Sequence, residues 1–173
     1  RDPYFMPERW ESHLLTSCDT VNGWFPTDEY VHGVFPLGQG LGYVVHKLDS
    51  PAQTIDLNFR HLEPPDVLTD SPEFALTFWL QTARWDAIDS VSTVVSFGDR
   101  RIVWDRIDPE LVNTFYDWRR VVLLRSEGSR TERIDPPVNG LELRLSIQTR
   151  EVPFGIGADI GVDEIRIAVP KGL

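Results

Sequence analysis

The strongest constraint on the fold is an alternation of apolar and polar residues with a period of two, which recurs along most of the chain. It is clearest at residues 141–149, where leucine and isoleucine alternate with Glu142, Arg144, Ser146 and Gln148. Successive side chains of a β-strand point to opposite faces, so this pattern predicts a strand with one buried and one solvated face. Strands are also predicted at residues 13–18, 43–48, 53–59, 74–82, 91–97, 101–104, 118–125 and 161–169.

Helical signals are scarce in comparison. The best one begins at Asp108, which is suited to cap a helix whose first residue is Pro109, and it predicts only a turn or two. Residues 22–42 are rich in glycine and proline and predict a long loop before the strand at 43–48. About seven to nine strands without alternating helices predict an all-β fold, a two-sheet β-sandwich or jelly roll.

Length and charge narrow the class of protein further. The 173 residues suit one domain, which we place at residues 13–173, behind an N-terminal arm or linker at residues 1–12. The formal net charge of -10 argues against nucleic-acid binding, since phosphate-binding surfaces need clustered cations. No apolar run reaches the roughly 18 residues of a membrane span. Export to an extracellular or cell-surface location, and a place in a larger multidomain chain, both stay open.

The single cysteine, Cys18, excludes an intrachain disulfide and a cysteine-based zinc site. No cation lies near it in the sequence to lower the pKa of its thiol. We therefore expect Cys18 to be a small buried hydrophobe beside the first strand.

An aspartate lies within the apolar pattern of the last predicted strand. In residues 161–169, Asp163 alternates in phase with Ile165, Ile167 and Val169 and should point toward the core. A buried carboxylate must be paired or must coordinate a cation. A second acidic residue, Asp19, precedes the Asn-Gly turn near the first strand, so we expect the first and last strands to meet around these two residues.

Three short motifs carry a family resemblance: residues 17–24 (Ser-Cys-Asp-Thr-Val-Asn-Gly-Trp), residues 117–121 (Asp-Trp-Arg-Arg-Val) and residues 161–165 (Gly-Val-Asp-Glu-Ile). Together they resemble the jelly-roll, galactose-binding-like carbohydrate-binding modules and, more loosely, MAM-type adhesion domains. The resemblance implies a structural Ca²⁺ ion between Asp19 and Asp163, although Glu164 stands where the family commonly has a second aspartate. The alternative is that Asp163 accepts hydrogen bonds from backbone or arginine.

A sugar site needs an exposed flat aromatic with hydrogen-bonding side chains beside it. Trp79 lies opposite the apolar face of its predicted strand, together with Gln81. We expect polar side chains of a neighbouring strand and of residues 141–149 to complete the site, or else Trp79 to pack under a loop or the N-terminal arm. The predicted polar partners are Asp56, Asn58, Arg60 and Arg144; the alternative aromatics are Trp24, Tyr30, Tyr43 and Trp85, while Trp104 and Trp118 are predicted in the core.

The sequence thus predicts a non-catalytic module that binds carbohydrate, with two alternatives. One is a protein–protein interaction or structural surface module, because protein interfaces also favour tryptophan and arginine. The other is a jelly-roll enzyme acting on glycans, for which Asp86 with Asp89 or Asp70 with Glu73 would be the acidic pairs. No serine-hydrolase or zinc-protease motif is present.

Overall fold

The alternation predicted from the sequence forms two antiparallel sheets. The computed structural model describes residues 10–25, 30–33, 43–48, 54–63, 73–82, 88–112, 117–150 and 158–171. Its elements are β1 (Trp10–Thr16), β2 (Trp24–Phe25), β3 (Tyr30–Gly33), β4 (Tyr43–Leu48), β5 (Thr54–His61), β6 (Ala75–Gln81), β7 (Ile88–Ile107), α1 (Pro109–Val112), β8 (Arg119–Leu124), β9 (Ser129–Thr149) and β10 (Ala158–Pro170).

The six-stranded sheet is built around the last strand. Its order is β3-β4-β10-β6-β8, with β1 also paired to β10. Thr16 of β1 pairs with Ile165, and Val44 of β4 pairs with Val162, while β6 pairs along β10 as well. The partners of β10 therefore change between residues 162 and 165, and the predicted meeting of first and last strands is confirmed.

The four-stranded sheet has the order β2-β5-β9-β7. Leu57 of β5 pairs with Leu145 of β9, which pairs in turn with Thr93 of β7. All three side chains are buried. In each of these strands, the residues directly before and after the buried one consequently point away from the core.

The core lies between the two sheets and draws on both of them. Phe74, which precedes β6, is fully buried and makes edge-on ring contacts with Phe97 and Trp104 of β7. The indole N–H of Trp104 donates to the Leu124 carbonyl oxygen at 3.1 Å. This buried apolar layer between two antiparallel sheets confirms the predicted all-β sandwich.

Several predicted boundaries were wrong. Strand β1 begins at Trp10, so residues 10–12, which we assigned to an arm, belong to the sheet; residues 1–9 lie outside the described part. β2 and β3 occur within the predicted long loop, and residues 91–107 form one strand instead of two.

The short helix is confirmed: Asp108 Oδ1 accepts a hydrogen bond from the Glu110 N–H at 3.0 Å. No helix among the described residues is long and apolar enough to cross a membrane.

Candidate functional site

The predicted sugar site is divided between the two sheets. Trp79 and Gln81 are in β6 of the six-stranded sheet. Asp56, Asn58 and Arg60 are in β5, a strand of the four-stranded sheet. The prediction that these strands are neighbours was wrong.

The four-stranded sheet places the polar residues of β5 directly opposite those of β9. The pairs are Asp56 with Ser146, Asn58 with Arg144 and Arg60 with Glu142. Together with the outward side chains of β7 they form what we call the polar face. Arg144, predicted only to extend the site, is thus brought beside Asn58.

Each cross-strand pair on the polar face is hydrogen-bonded. Ser146 Oγ donates to Asp56 Oδ1 at 2.6 Å, and Arg144 Nε donates to Asn58 Oδ1 at 3.1 Å. Arg60 donates to Glu142 Oε1 through Nη2 at 2.8 Å and through Nε at 3.1 Å. These bonds fix the side chains in place before any ligand arrives, which lowers the entropic cost of binding.

The part of the polar face contributed by β7 is lined by small side chains. Ser92, Val94 and Ser96 pair with residues 146, 144 and 142 of β9. A depression of about 140 Å³ lies there. Its lining consists of Phe25, Asn58, Val94, Ser96, Arg101, Glu142, Leu143 and Arg144.

Of these lining residues only Asn58 and Arg144 were predicted as site residues; Phe25 and Arg101 are two of those that were missed. Phe25 is a half-buried residue of β2, and the Arg60 guanidinium lies 5.0 Å from the centre of its ring. Arg101 Nη1 lies 3.7 Å from Glu132 Oε2. Phe25 was missed because its strand of two residues is too short to show an alternation, and Arg101 because the sequence does not show that β7 continues past Gly98.

Of the second half of the predicted site, Trp79 lines a hollow of about 570 Å³ on the six-stranded sheet, whereas Gln81 is not among the described lining residues and pairs with Gly161 of β10. The described lining of this hollow consists of Trp79, Trp118, Arg119 and Arg120. Trp79 pairs directly with Arg120 of β8. Trp118 is only partly buried, so its predicted place in the core was wrong.

Of the alternative aromatics, Trp24 lines a hollow of about 740 Å³ together with Phe25, Arg60 and His61, among other described residues. Trp24 itself is 1% exposed and packs on Phe59 at a ring-centroid distance of 5.4 Å, so the predicted exposed, loop-borne contact was wrong. Trp104 is buried as predicted. Tyr30 and Tyr43 lie in paired strands, and Trp85 falls outside the described residues.

The junction of the first and last strands is centred on Asp163, which is fully buried as predicted. The direction of its side chain differs from the prediction, because Asp163 pairs with Trp79, whose side chain faces away from the main core. The alternation breaks at a β-bulge between residues 163 and 166, where Glu164 has a φ of 44°. Asp163 Oδ1 accepts a hydrogen bond from the Glu164 N–H at 2.8 Å.

Cys18 lies against the same junction. It is 0% exposed, and burial, together with the nearby Asp163 charge, raises the pKa of its thiol to about 12. The backbone N–H groups of residues 164 and 165 offset part of this rise. The prediction of a buried, unreactive cysteine is consistent with this pKa, because the reactive thiolate is suppressed.

A Ca²⁺ ion at this junction would depend mainly on backbone oxygens. Within the described ranges, no group of three or more His, Cys, Asp or Glu side chains is arranged to hold a metal ion. Calcium takes about six to eight oxygen ligands, including backbone carbonyls. With Asp163 and Asp19 as the carboxylates of such a site, backbone carbonyls and water would have to supply the other ligands.

Each acidic pair considered for catalysis has one member, Asp70 or Asp86, outside the described residues. Asp89 Oδ1 lies 3.4 Å from Arg150 Nε on the exposed edge of the four-stranded sheet. This contact is typical of a surface ion pair.

No protein-family model and no curated protein sequence matches the chain. Solved structures match it over most of its length. The chain shares 11% identity and a TM-score of 0.51 with the CBM27-1 module of Caldicellulosiruptor saccharolyticus, solved in complex with mannohexaose, over 94% of this chain and 99% of that one.

Two further structures are similar over parts of longer chains. One, from a study of carbohydrate-binding modules of the β-sandwich superfamily, has 14% identity and a TM-score of 0.51, covering 91% of this chain and 53% of the other. The other is the arabinose-bound MgGH51 α-L-arabinofuranosidase, with 11% identity and a TM-score of 0.54, covering 88% of this chain and 24% of that enzyme. These likenesses confirm the predicted jelly-roll fold of carbohydrate-binding modules.

Proposed function

We propose that this chain is a non-catalytic module that binds a carbohydrate chain across the polar face. The observation that carries the proposal is the row of three hydrogen-bonded cross-strand pairs, Asp56–Ser146, Asn58–Arg144 and Arg60–Glu142, on an outward sheet face. They present carboxylate, amide, hydroxyl and guanidinium groups in one row. Such groups match the hydroxyls of a sugar, which both donate and accept hydrogen bonds.

The charges on the polar face favour a neutral glycan. Arg60 is paired with Glu142, and Asp56 accepts from a hydroxyl instead of a cation. The Phe25 ring, at the β2 side, supplies an apolar surface for the C–H face of a sugar ring. Cations and anions alternate along the row, so it offers no concentrated charge for an ionic ligand.

The state of the carboxylates supports binding over catalysis. A general acid for glycoside hydrolysis needs a carboxyl group that is shielded from solvent. Asp56 is exposed, and the Glu142 side chain is 32% exposed and bonded to Arg60. Both groups are therefore suited to accepting hydrogen bonds from sugar hydroxyls.

The fold supports the same proposal. CBM27-1, which has this fold over its full length, was solved with a mannose oligosaccharide, and the arabinofuranosidase carries the fold as about a quarter of its chain. We therefore propose that this domain serves, outside the cell, as a binding module within a larger polysaccharide-acting protein.

Calorimetric titration with manno-, xylo-, gluco- and galacto-oligosaccharides tests the proposal. We expect one class of oligosaccharide to bind. Arg144→Ala should weaken that binding about tenfold or more, since the change removes a guanidinium and its hydrogen bond to Asn58. Arg133→Ala is the matched control, because Arg133 is 90% exposed and lies outside the depression, and it should bind normally. Absence of binding by the unaltered protein would contradict the function, and normal binding by Arg144→Ala would contradict the site.

We also propose that Asp163, with Asp19, holds a structural Ca²⁺ ion. The support is the complete burial of Asp163 at the bulge where β1 and β4 both meet β10. A carboxylate with no exposed surface requires compensation of its charge. The ion would contribute stability at this junction and take no part in recognition on the polar face.

A further inference from the structure

A concave surface adjoins the polar face where β5 ends. It is the hollow of about 740 Å³ that Trp24 lines, and we call it the end hollow. Phe25 lines both the end hollow and the depression of the polar face. Arg60 lines the end hollow and is bonded to Glu142, which lines the depression. A glycan chain lying on the polar face can therefore reach into the end hollow.

The apolar lining of the end hollow has a buried floor and an exposed edge. Leu15, Trp24 and Phe59 are buried and form the floor. Leu62 lines the hollow as well, and 75% of this residue is exposed. A ligand that covers Leu62 gains free energy, because it removes this aliphatic side chain from water.

The backbone around the end hollow is held by hydrogen bonds. The Arg60 N–H donates to the Gly23 carbonyl oxygen at 2.8 Å, which joins β5 to the turn before β2. The Glu63 N–H donates to His61 Nδ1 at 3.2 Å, across the backbone of Leu62. The edge of the hollow is thus in place before a ligand arrives, which lowers the entropic cost of binding.

The side chains of the end hollow favour a small apolar group over an unsubstituted sugar ring. Stacking on a sugar ring needs an exposed flat aromatic face, and Trp24 and Phe59 of the floor are only 1% and 2% exposed. Leu62 has no flat face, but its methyl groups pack against another methyl group. Asn22, an exposed lining residue, carries an amide N–H that can donate to a carbonyl oxygen.

An acetyl group combines a methyl group with a carbonyl oxygen. We propose that the end hollow binds an acetyl group of the glycan that lies on the polar face, so that the module prefers acetylated chains to unsubstituted ones. This inference rests on the proposed function, because the chain on the polar face delivers its substituent to the hollow. An O-acetyl ester and an N-acetyl amide offer the same two groups, and the test distinguishes them.

Calorimetric titration compares acetylated and unacetylated forms of the same oligosaccharides. The probes are O-acetylated xylo- and manno-oligosaccharides before and after alkaline deacetylation, and N-acetylglucosamine oligomers beside glucose oligomers of equal length. We expect the acetylated form of at least one pair to bind about fivefold or more tightly, since a methyl group is buried and a hydrogen bond is made. A preference within the first kind of pair identifies an ester, and one within the second an amide. Equal affinity within every pair would overturn the proposal.

A variant of Leu62 locates the acetyl group. Leu62→Asn keeps the size of the side chain but makes it polar, so the ratio of the two affinities should fall toward one. Leu14→Asn is the matched control, because Leu14 is a large hydrophobic residue of β1 that is also exposed and is not among the described residues lining the hollow. It should keep the full preference. An unchanged preference in Leu62→Asn would show that the acetyl group binds elsewhere.

Arg144→Ala separates this inference from the proposed function. It should weaken binding of the acetylated and unacetylated forms alike and leave their ratio unchanged. If binding depends on Arg144 but acetylation makes no difference, the proposed function stands and the inference about the end hollow is wrong. If the preference depends on Leu62 while Arg144→Ala changes neither affinity, the end hollow binds the acetyl group and the polar face is wrong as the site for the chain. Absence of binding by every probe would contradict both.

Discussion

The thiol of Cys18 is held in its neutral form by its surroundings. It has no exposed surface, and both burial and the nearby Asp163 carboxylate raise its pKa from 9.0 to about 12. Ionisation of the thiol would place a second negative charge beside a buried carboxylate. The folded protein therefore binds the thiol proton more tightly than the unfolded chain does.

This difference predicts a loss of stability at alkaline pH. A group with a raised folded-state pKa contributes stability that is fully present below its unfolded pKa and is lost as pH rises toward its folded pKa. For Cys18 the window runs from 9.0 to about 12. We expect the free energy of unfolding, measured with urea in calcium-free buffer across this window, to fall by up to a few kcal/mol more than in Cys18→Ala, which cannot titrate. Parallel curves for the two proteins would contradict this account.

At the scale of the elements, one glycine allows β9 to pass close to the end of β5. Gly140 has a φ of 74°, and a Cβ there would lie 2.3 Å from the His61 carbonyl oxygen and 2.9 Å from the Leu62 Cα. Both neighbouring atoms belong to the backbone, so they cannot move as a side chain would. The packing of β9 against residues 61–62 thus requires a residue without a side chain.

Gly128 provides a matched control for this site. Its φ is 76°, yet a Cβ there would meet nothing within 4 Å. We expect Gly128→Ala to cost about 1–2 kcal/mol, the backbone penalty of the left-handed region. Gly140→Ala should cost clearly more, because it adds the backbone clash. Urea denaturation of both variants measures the difference, and equal losses would show that the close approach does not matter.

The strands that could be predicted from the sequence are those with one face in the core. β5 and residues 141–149 of β9 alternate cleanly between buried and less buried side chains and were found within two residues; β6 was found within one residue although its side chains are buried almost throughout. β2 and β3 were missed because strands of two and four residues contain too few alternations. The first part of β9 was missed because residues 129–140 have almost no buried side chains. Their sequence therefore shows no alternation of apolar and polar residues that would predict a strand.

For the molecule as a whole, the sequence indicated which strand faces are polar but not which strands lie side by side. The outward, polar positions of β5 and β9 follow from alternation alone. The structure brings Asp56, Asn58 and Arg60 opposite Ser146, Arg144 and Glu142, of which only Arg144 was predicted as a site residue. Which strands are neighbours depends on long-range pairing, which alternation does not encode. Trp79 was consequently assigned to the wrong sheet, and its actual cross-strand neighbours are Arg120 of β8 and Asp163 of β10.

The proposed Ca²⁺ ion acts on the whole molecule, because it would join the segment after β1 to β10 and so connect the two ends of the domain. We expect EDTA to lower the melting temperature of the protein and excess Ca²⁺ to restore it, since an ion that binds only the folded state stabilises that state. Asp163→Asn should melt lower and lose the response to chelator, because the buried carboxylate is gone. Asp56→Asn should keep the response, since Asp56 lies exposed on the other sheet. If saturating EDTA leaves the unaltered protein unchanged, hydrogen bonds such as the one from the Glu164 N–H compensate Asp163 without a metal.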